Sequence, residues 1–574
     1  MMYSIIQYGG SVIMFQKKIG IYSLTLAMAA MGVTGCSSDG SGSSFENAAS
    51  SLTEAAAQPD GQTDSESLSA ASEKKNEVIA VVNSEPSAGW NPVTGYGQRY
   101  DPILQSTLTK AYGGEITNDL ATGYEISEDG KEWTFTIRDD AYYSNGEKVT
   151  ASDVAFTYEA VRDNSTSLDL SNIASAEAPD DTTVIFHLNE PDYTFLYVTY
   201  KVGIVPEKGY DENYGENPVG SGPFKMVQWE KGQQCVWEYN EYYYGNEPEI
   251  KRIVLLFMDD DSAFLAAQKG DVDIIFTNQN LAVQQIDGYH MENVETIDNY
   301  GIIFPTTLDE GKTSEDGRAI GNDVTGDPAV RKALSVGLDR DALINDVFNG
   351  YGKKSFSMCD TMPWFNEETA LNESNSGKDV AVKILEEAGW TDHDGDGIRD
   401  KDGVDAQFTL LYTSSNANRQ AMAMAVAEQA KELGITVTPE GASNDDITKR
   451  VYSTPYVFGR GDYTPNEFYL MTSTKTIGSG WSNTGYYSNP TVDDYMKKAM
   501  ASKKIEDVYK YYKLAQWDGE TGASLIGDAP DCWLVRADHC YFVRDGLNIG
   551  DQPVQPHCAN GQVILSNICD WKWE

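Results

Sequence analysis

A chain of 574 residues carrying 88 acidic against 43 basic side chains has a formal net charge of -45, and that imbalance excludes whole classes of partner. Nucleic acid demands Lys and Arg on its phosphates, and anionic lipid headgroups attract the same residues. The acidic field instead favours cationic solutes, and the length exceeds the roughly 250–300 residues at which one hydrophobic core stops growing, so two or more lobes are expected.

The first segment reads as an export signal. Lys17 and Lys18 precede an apolar run, Ile19–Met31, and small residues then lead to Cys36. A charged start, a short hydrophobic stretch and a small-residue cut site make a secretory signal peptide. The run is shorter than the ~20 residues a permanent membrane span needs. Val33-Thr34-Gly35-Cys36 resembles a bacterial lipobox, in which the cysteine is acylated, as with palmitate, and becomes the mature N-terminus. Two or more acyl chains hold a protein to a bilayer stably, at about 0.8 kcal/mol per buried CH₂. From Ser37 to Asn76 the chain is Ser, Gly, Ala, Glu, Gln and Asp with almost no large apolar side chains. Such a segment cannot bury enough surface to offset its ordering entropy and is expected to be a flexible tether. Residues 1–36 are therefore read as the signal, with lipidation at Cys36, and residues 37–76 as the tether. The body is placed on the extracytoplasmic face of a bacterial cell membrane.

After the tether, Glu77–Val82 is a short apolar strand, broken at Asn83–Pro86. Trp133–Ile137 alternates as a strand, and Tyr142–Gly146 turns out of it. Thr150-Ala151-Ser152-Asp153 is a capping box that opens a helix through Val161. Thr183–Leu188 and Ile250–Phe257 are further strands. Asp261 is expected to cap a helix ending at Gly270, before the buried-type strand Val272–Phe276. Asp327-Pro328 starts a helix with proline in its first turn, and Val330, Ala333, Leu334 and Leu338 recur along it at helical spacing. Val380–Ala388 and Gln420–Leu433 are amphipathic helices ended by Gly389 and Gly434; strands Phe408–Tyr412 and Ile435–Thr438 flank the second. Pro490 begins a helix with Val492, Tyr495, Met496 and Ala499 inward. Core packing accounts for each of these apolar stripes, and the interleaving of strands and helices gives an α/β class.

Seven cysteines are present. With Cys36 lipidated, Cys235, Cys359, Cys532, Cys540, Cys558 and Cys569 remain, in a compartment that permits disulfides. The crowding of the last four predicts at least one local bridge, while His539-Cys540 and His557-Cys558 offer thiolate and imidazole to a metal. Their spacings match no Cys-x-x-Cys finger. In Asp392-His393-Asp394-Gly395-Asp396-Gly397-Ile398-Arg399-Asp400, oxygen ligands at positions 1, 3, 5 and 9 with Gly at 6 follow an EF-hand loop. The twelfth position is Gly403 rather than a bidentate Glu. Asp392, Asp394, Asp396 and Asp400 thus read either as a weak structural calcium site or as a plain Asp/Gly turn. No cofactor is otherwise required.

Several ordered motifs resemble one family. Asn118-Asp119-Leu120-Ala121, Tyr124–Gly130 and Trp133–Arg138 resemble the opening signature of solute-binding protein family 5, the extracytoplasmic oligopeptide-, dipeptide- and nickel-binding receptors of ABC importers. Thr150–Val154, Val219-Gly220-Ser221-Gly222-Pro223-Phe224, Val330-Arg331-Lys332-Ala333 through Leu338-Asp339-Arg340, and Gly485–Asp493 follow in the family's order. The resemblance implies the two-lobed periplasmic-binding-protein-like fold (type II, with an extra subdomain), pear-shaped, its lobes closing on solute about a hinge that the chain crosses twice. Lobe I is expected at 77–110, 219–315 and 528–574, its subdomain at 111–218, and lobe II at 316–527. Solute touches both lobes only when they are closed, so binding shifts the population toward closure. The partners implied are a peptide ligand and the importer's permease subunits, with the receptor itself a monomer.

Asp462, in Phe458-Gly459-Arg460-Gly461-Asp462-Tyr463, matches the family segment whose aspartate pairs with a peptide's α-amino group. An ammonium–carboxylate pair at ~4 Å is worth up to about 4 kcal/mol at an effective dielectric of 20, before desolvation. Tyr463, Trp481 and Tyr486 are candidate walls, Arg460 a candidate partner for a carboxylate, and Trp90 a candidate contact from the first loop. The chain has no Gly-x-Ser-x-Gly elbow and no His-Glu-x-x-His, which speaks against the remote alternative of an exported hydrolase. A nickel or metal-chelate receptor of the same family is the nearer alternative.

Overall fold

The computed structural model describes residues 76–86, 89–96, 103–112, 115–165, 168–557 and 561–574, all within one compact unit, Ser67–Glu574. The signal, Cys36, the tether up to residue 75 and Cys558 lie outside the described residues. Among the described residues, no helix is long and apolar enough to cross a membrane.

Glu77–Val82 lies at the centre of a seven-stranded sheet, parallel to both Arg252–Phe257 and Ile274–Thr277. A strand covered on both faces reads as a continuous apolar run rather than an alternation, and this one is Glu-Val-Ile-Ala-Val-Val. Val78, Ala80 and Val82 join a core with Trp90, Trp237 and Ile253, whereas Val81 faces Phe264 and Ala267 on the other side. Antiparallel strands extend the sheet outward: Gln234–Tyr239 and Phe224–Glu230 on one flank, His539–Arg544 and Tyr289–Val294 on the other.

The second sheet has six strands in the order Gly352–Lys354, Asp531–Ala537, Asn299–Ile303, Tyr456–Arg460, Gln407–Thr413, Thr436–Ala442. On one face Ile302, Leu410 and Val457 pack under helices Pro328–Gly337, Lys378–Glu387 and Ala417–Lys431. On the other, Ile303, Leu411, Tyr456 and Trp533 meet Tyr463, Phe468, Met496 and Tyr512. A separate four-stranded antiparallel sheet, Ala121–Ile126, Glu132–Ile137, Thr183–Leu188 and Ile173–Glu177, carries the helix Ala151–Asn164. The expected capping box opens that helix: the Thr150 backbone N–H and hydroxyl both donate to Asp153, at 2.8 and 3.0 Å. These sheets are the two lobes and the subdomain of a mixed α/β fold.

The lobe boundaries differ from expectation. Asn299–Ile303, assigned by sequence to lobe I, pairs with Tyr456–Arg460 and Asp531–Ala537 in the second sheet. The chain therefore crosses at residues 295–298 and returns at Asp538, well inside the ranges 219–315 and 528–574. Both crossing strands are buried along their whole length, so alternation gives no sign of which lobe owns them. The helix expected to start at Asp261 is capped instead by Asp259, whose carboxylate accepts from the Ser262 N–H at 2.8 Å.

Several motif residues turn out to serve the scaffold. A Cβ on Gly220 or Gly222 would overlap the carbonyls of Leu104 or Ile103, so only glycine allows these two loop segments to approach. Arg331 is buried and donates to four carbonyls, those of Thr325, Gly326, Asp528 and Ala529. Arg340 does the same for Ser335, Ser355 and Trp533. A buried guanidinium satisfied by carbonyls clamps loops together without needing a carboxylate. The expected local disulfide does not involve Cys532 or Cys540, which are buried free thiols like Cys235 and Cys359.

Candidate functional site

In open α/β sheets ligands sit beyond the carboxyl ends of the strands. Here those ends are Val82, Phe257 and Thr277 in the first lobe, and Thr413 and Arg460 in the second. The crossing segments run between them and are tied to each other. Thr296 Oγ1 donates to the Ala537 carbonyl at 2.6 Å, the Asp298 N–H donates to Thr296 Oγ1 at 2.8 Å, and the Ala537 N–H donates to the Asp298 carbonyl at 3.0 Å. A third segment, Gln555–His557, lies alongside: Gln555 exchanges backbone bonds with Glu295 and Ile297, and the His557 N–H donates to the Gly461 carbonyl at 2.9 Å. Gly461 is required there, since a Cβ would overlap the Ile297 carbonyl.

Asp298 sits at the centre of this knot, its side chain 7% exposed. His557 Nδ1 lies 2.7 Å from its Oδ1, and His539 Nε2 lies 3.8 Å from its Oδ2. Burial alone would raise the Asp298 carboxyl, but the two imidazoles, His557 foremost, hold it well below the usual carboxylate range. The Gln279 amide donates to the Asp538 carbonyl at 2.7 Å and accepts from Asn418 at 2.9 Å, linking the first lobe to the opening turn of the second lobe's helix Ala417–Lys431. Arg419, in that same turn, lies over the Phe458 ring at 5.8 Å, and Phe458 stacks on Trp481 with centroids 5.6 Å apart.

Asp462 follows the strand Tyr456–Arg460 and meets the subdomain. Its Oδ1 accepts from the Tyr200 hydroxyl at 2.6 Å and the Tyr463 N–H at 2.8 Å, and its Oδ2 lies 2.5 Å from Lys201 Nζ. Tyr197 of the same subdomain segment shares a hydroxyl bond with Tyr509 at 3.0 Å and packs edge-on against Trp364. An acidic residue of one lobe is thus held by donors from another body of the fold.

The remaining sequence candidates divide. Trp481 keeps a partly exposed face on the Phe458 stack. Tyr486 belongs to a different aromatic group, edge-on to Tyr452 at 4.8 Å, with Arg318 over the Tyr452 ring. Tyr463 is 1% exposed and donates its hydroxyl to the Val554 carbonyl, so it is core rather than wall. Trp90 is fully buried among Tyr96, Trp229 and Trp237 and makes no cleft surface. Arg460 is paired with Glu467, so its charge is already answered within its own lobe. Three of the four loop aspartates, Asp392, Asp394 and Asp396, bring carboxylate oxygens within 4.8 Å of one another. Asp400 turns instead to His393, with Nδ1 at 2.9 Å. His539 and Cys540 are consecutive strand residues on opposite faces, and burial pushes the Cys540 thiol up, against the thiolate a metal would need.

Sequence reading missed Lys201, Tyr200, Asp298, Gln279, Asn418 and Arg419. Lys201 and Asp462 are far apart in the chain, and no local pattern marks such a pair. Asp298 had a faint signal: an acid just before an apolar strand, in a chain whose few histidines include two near the C-terminus.

Comparison with known proteins gives a consistent picture. The family model "Bacterial extracellular solute-binding proteins, family 5 Middle" matches residues 115–484. Protein XP55 of Streptomyces lividans is 30% identical over 491 residues, covering 82% of this chain and 86% of its own. The probable D,D-dipeptide-binding periplasmic protein DdpA of Escherichia coli (strain K12) is 27% identical over 446 residues, covering 74% and 80%. Among solved structures, NikZ from Campylobacter jejuni in complex with Ni(L-His) superposes with a TM-score of 0.69 at 21% identity, covering 87% of this chain and 99% of that one.

Proposed function

Because the chain belongs to family 5 of the bacterial extracellular solute-binding proteins, we propose that it captures peptides between its two lobes and delivers them to an ABC importer. It is a binding protein, not an enzyme, as its relatives are. The observation that carries the peptide reading is Asp462: a carboxylate beyond the strand ends of one lobe, held by the Tyr200 and Lys201 donors of the other body. A solute lodged there touches both bodies only when they are together, so its contacts supply the free energy of closure. The Phe458–Trp481 stack offers flat apolar surface to side chains. DdpA, a relative named for dipeptides, supports the same class. Anchoring through acyl chains on Cys36, beyond the described residues, completes the proposal and keeps the receptor beside its membrane partners.

A nickel or metal-chelate solute is the second reading, favoured by the imidazoles of His539 and His557 converging on Asp298 between the lobes. Native mass spectrometry of the protein as purified separates the two. A series of masses matching short peptides supports the first reading. One adduct carrying a nickel isotope pattern, lost with a chelator, replaces it with the second.

A further inference from the structure

The carboxylate proposed above to receive a solute, Asp462, is already occupied by a cation of the protein itself. Lys201 Nζ stands 2.5 Å from Asp462 Oδ2, with side-chain exposures of 15% and 17%, and the Tyr200 ring lies 5.5 Å from the same ammonium. Oδ1 is engaged by the Tyr200 hydroxyl and the Tyr463 N–H. The neighbouring charge, Arg460, is matched by Glu467. We propose that Lys201 is the specificity-determining residue of the site: it neutralises Asp462, so the receptor takes peptides whose amino end is blocked at least as well as those whose amino end is a free ammonium. This rests on the peptide reading above and deepens it.

The physical reason is an exchange with no gain. A free α-ammonium reaching Asp462 would replace one ammonium by another, so the ion-pair energy is not new. It would also strand Lys201, largely covered, without its counter-charge, and an unpaired covered charge is costly. Lys201 is part of the same chain and held at high effective concentration, whereas the solute must also surrender its translational freedom. An acylated or otherwise uncharged amino end has no such contest. It meets a pair of no net charge and leaves that ion pair intact.

The test compares a mixed tetrapeptide pool with free amino ends against the same pool N-acetylated, by calorimetry on the full receptor. The wild type is expected to bind the acetylated pool within about threefold of the free pool, or more tightly. Lys201→Met keeps the apolar stem and uncovers Asp462, and should shift the ratio toward the free pool by about tenfold or more. Lys201→Arg restores the cation and with it the wild-type ratio, and Lys201→Met combined with Asp462→Asn abolishes the shift. A wild type that prefers free amino ends by about tenfold, unchanged in Lys201→Met, overturns the proposal. Should neither pool bind the wild type, the peptide reading fails, and butylammonium against butanol then decides the Lys201 assignment. Uptake of the cation by Lys201→Met alone upholds it, and equal uptake by both proteins overturns it. Melting curves exclude an unfolded variant, and Lys201→Gln, which also removes the cation, supplies the reading if Lys201→Met does not fold.

Discussion

In the proposed site, one side chain, Asp462, serves both recognition and closure. Its bonds to Tyr200 and Lys201 join the subdomain to the second lobe, so Asp462→Ala removes an anchor and a tie together. Peptide affinity measured by calorimetry should fall by about tenfold or more, the loss expected when one partner of a largely covered charge pair is deleted. Asp531 makes a pH argument of the opposite kind. Burial pushes its carboxyl up to about 7, and that of Asp360 to about 6. Both stay protonated in the folded chain over a range where the unfolded chain has released its protons. Their contribution to stability is full below the unfolded carboxylate range near pH 4 and is lost as pH rises through 6 to 7. The wild type should melt at higher temperature at pH 5 than at pH 8, and Asp531→Asn should flatten that slope by on the order of 2–4 kcal/mol. Asp462 was singled out in the sequence because its segment, Phe458–Tyr463, resembles the family's, with Gly459 and Gly461 just before it. Lys201 was not, because the contact is made by docking two bodies rather than by any local spacing.

Among the elements, the crossing segments bear most on the proposed closure. Residues 295–298 and Asp538 join the sheets, and Asp298, His539 and His557 pack between them. Gly461 touches this knot at the Ile297 carbonyl, and Gly461→Ala should cost about 2–4 kcal/mol in denaturant unfolding by forcing the strand end away. Most helices and strands could be read from apolar period and caps: the box at Thr150–Asp153, proline after Asp327 and Asn489, glycine at residue 270. The assignment of Asn299–Ile303 to a lobe could not, because a fully buried strand carries no sign of the sheet it joins. The turn Asp392–Asp400 stands on its own hydrogen bonds: Asp392 accepts from the Gly395 and Gly397 N–H groups, and Asp396 from that of Ile398. We propose that calcium adds to this turn only weakly, at millimolar level. Calorimetric titration should show no binding at micromolar calcium, and a tight isotherm there would contradict this.

At the scale of the whole molecule, a net charge of -45 sets the background. Self-repulsion among carboxylates opposes the compact state and is screened by salt, so raising ionic strength should raise the melting temperature. The acylation proposal is tested in cells: Cys36→Ser should release the receptor from the membrane fraction, while unchanged fractionation would count against it. The central claim is that solute draws two lobes together about the paired crossings. Val227 in the first lobe and Met424 in the second are exposed, and Cys235, Cys359, Cys532 and Cys540 are buried away from labelling reagents. Fluorophores placed at Val227→Cys and Met424→Cys, with Cys36, Cys558 and Cys569 replaced by serine, report the distance between lobes by energy transfer. Adding a bound peptide should move the population to a single, more closed distance. A distance distribution that stays the same while calorimetry shows the peptide bound would contradict the account.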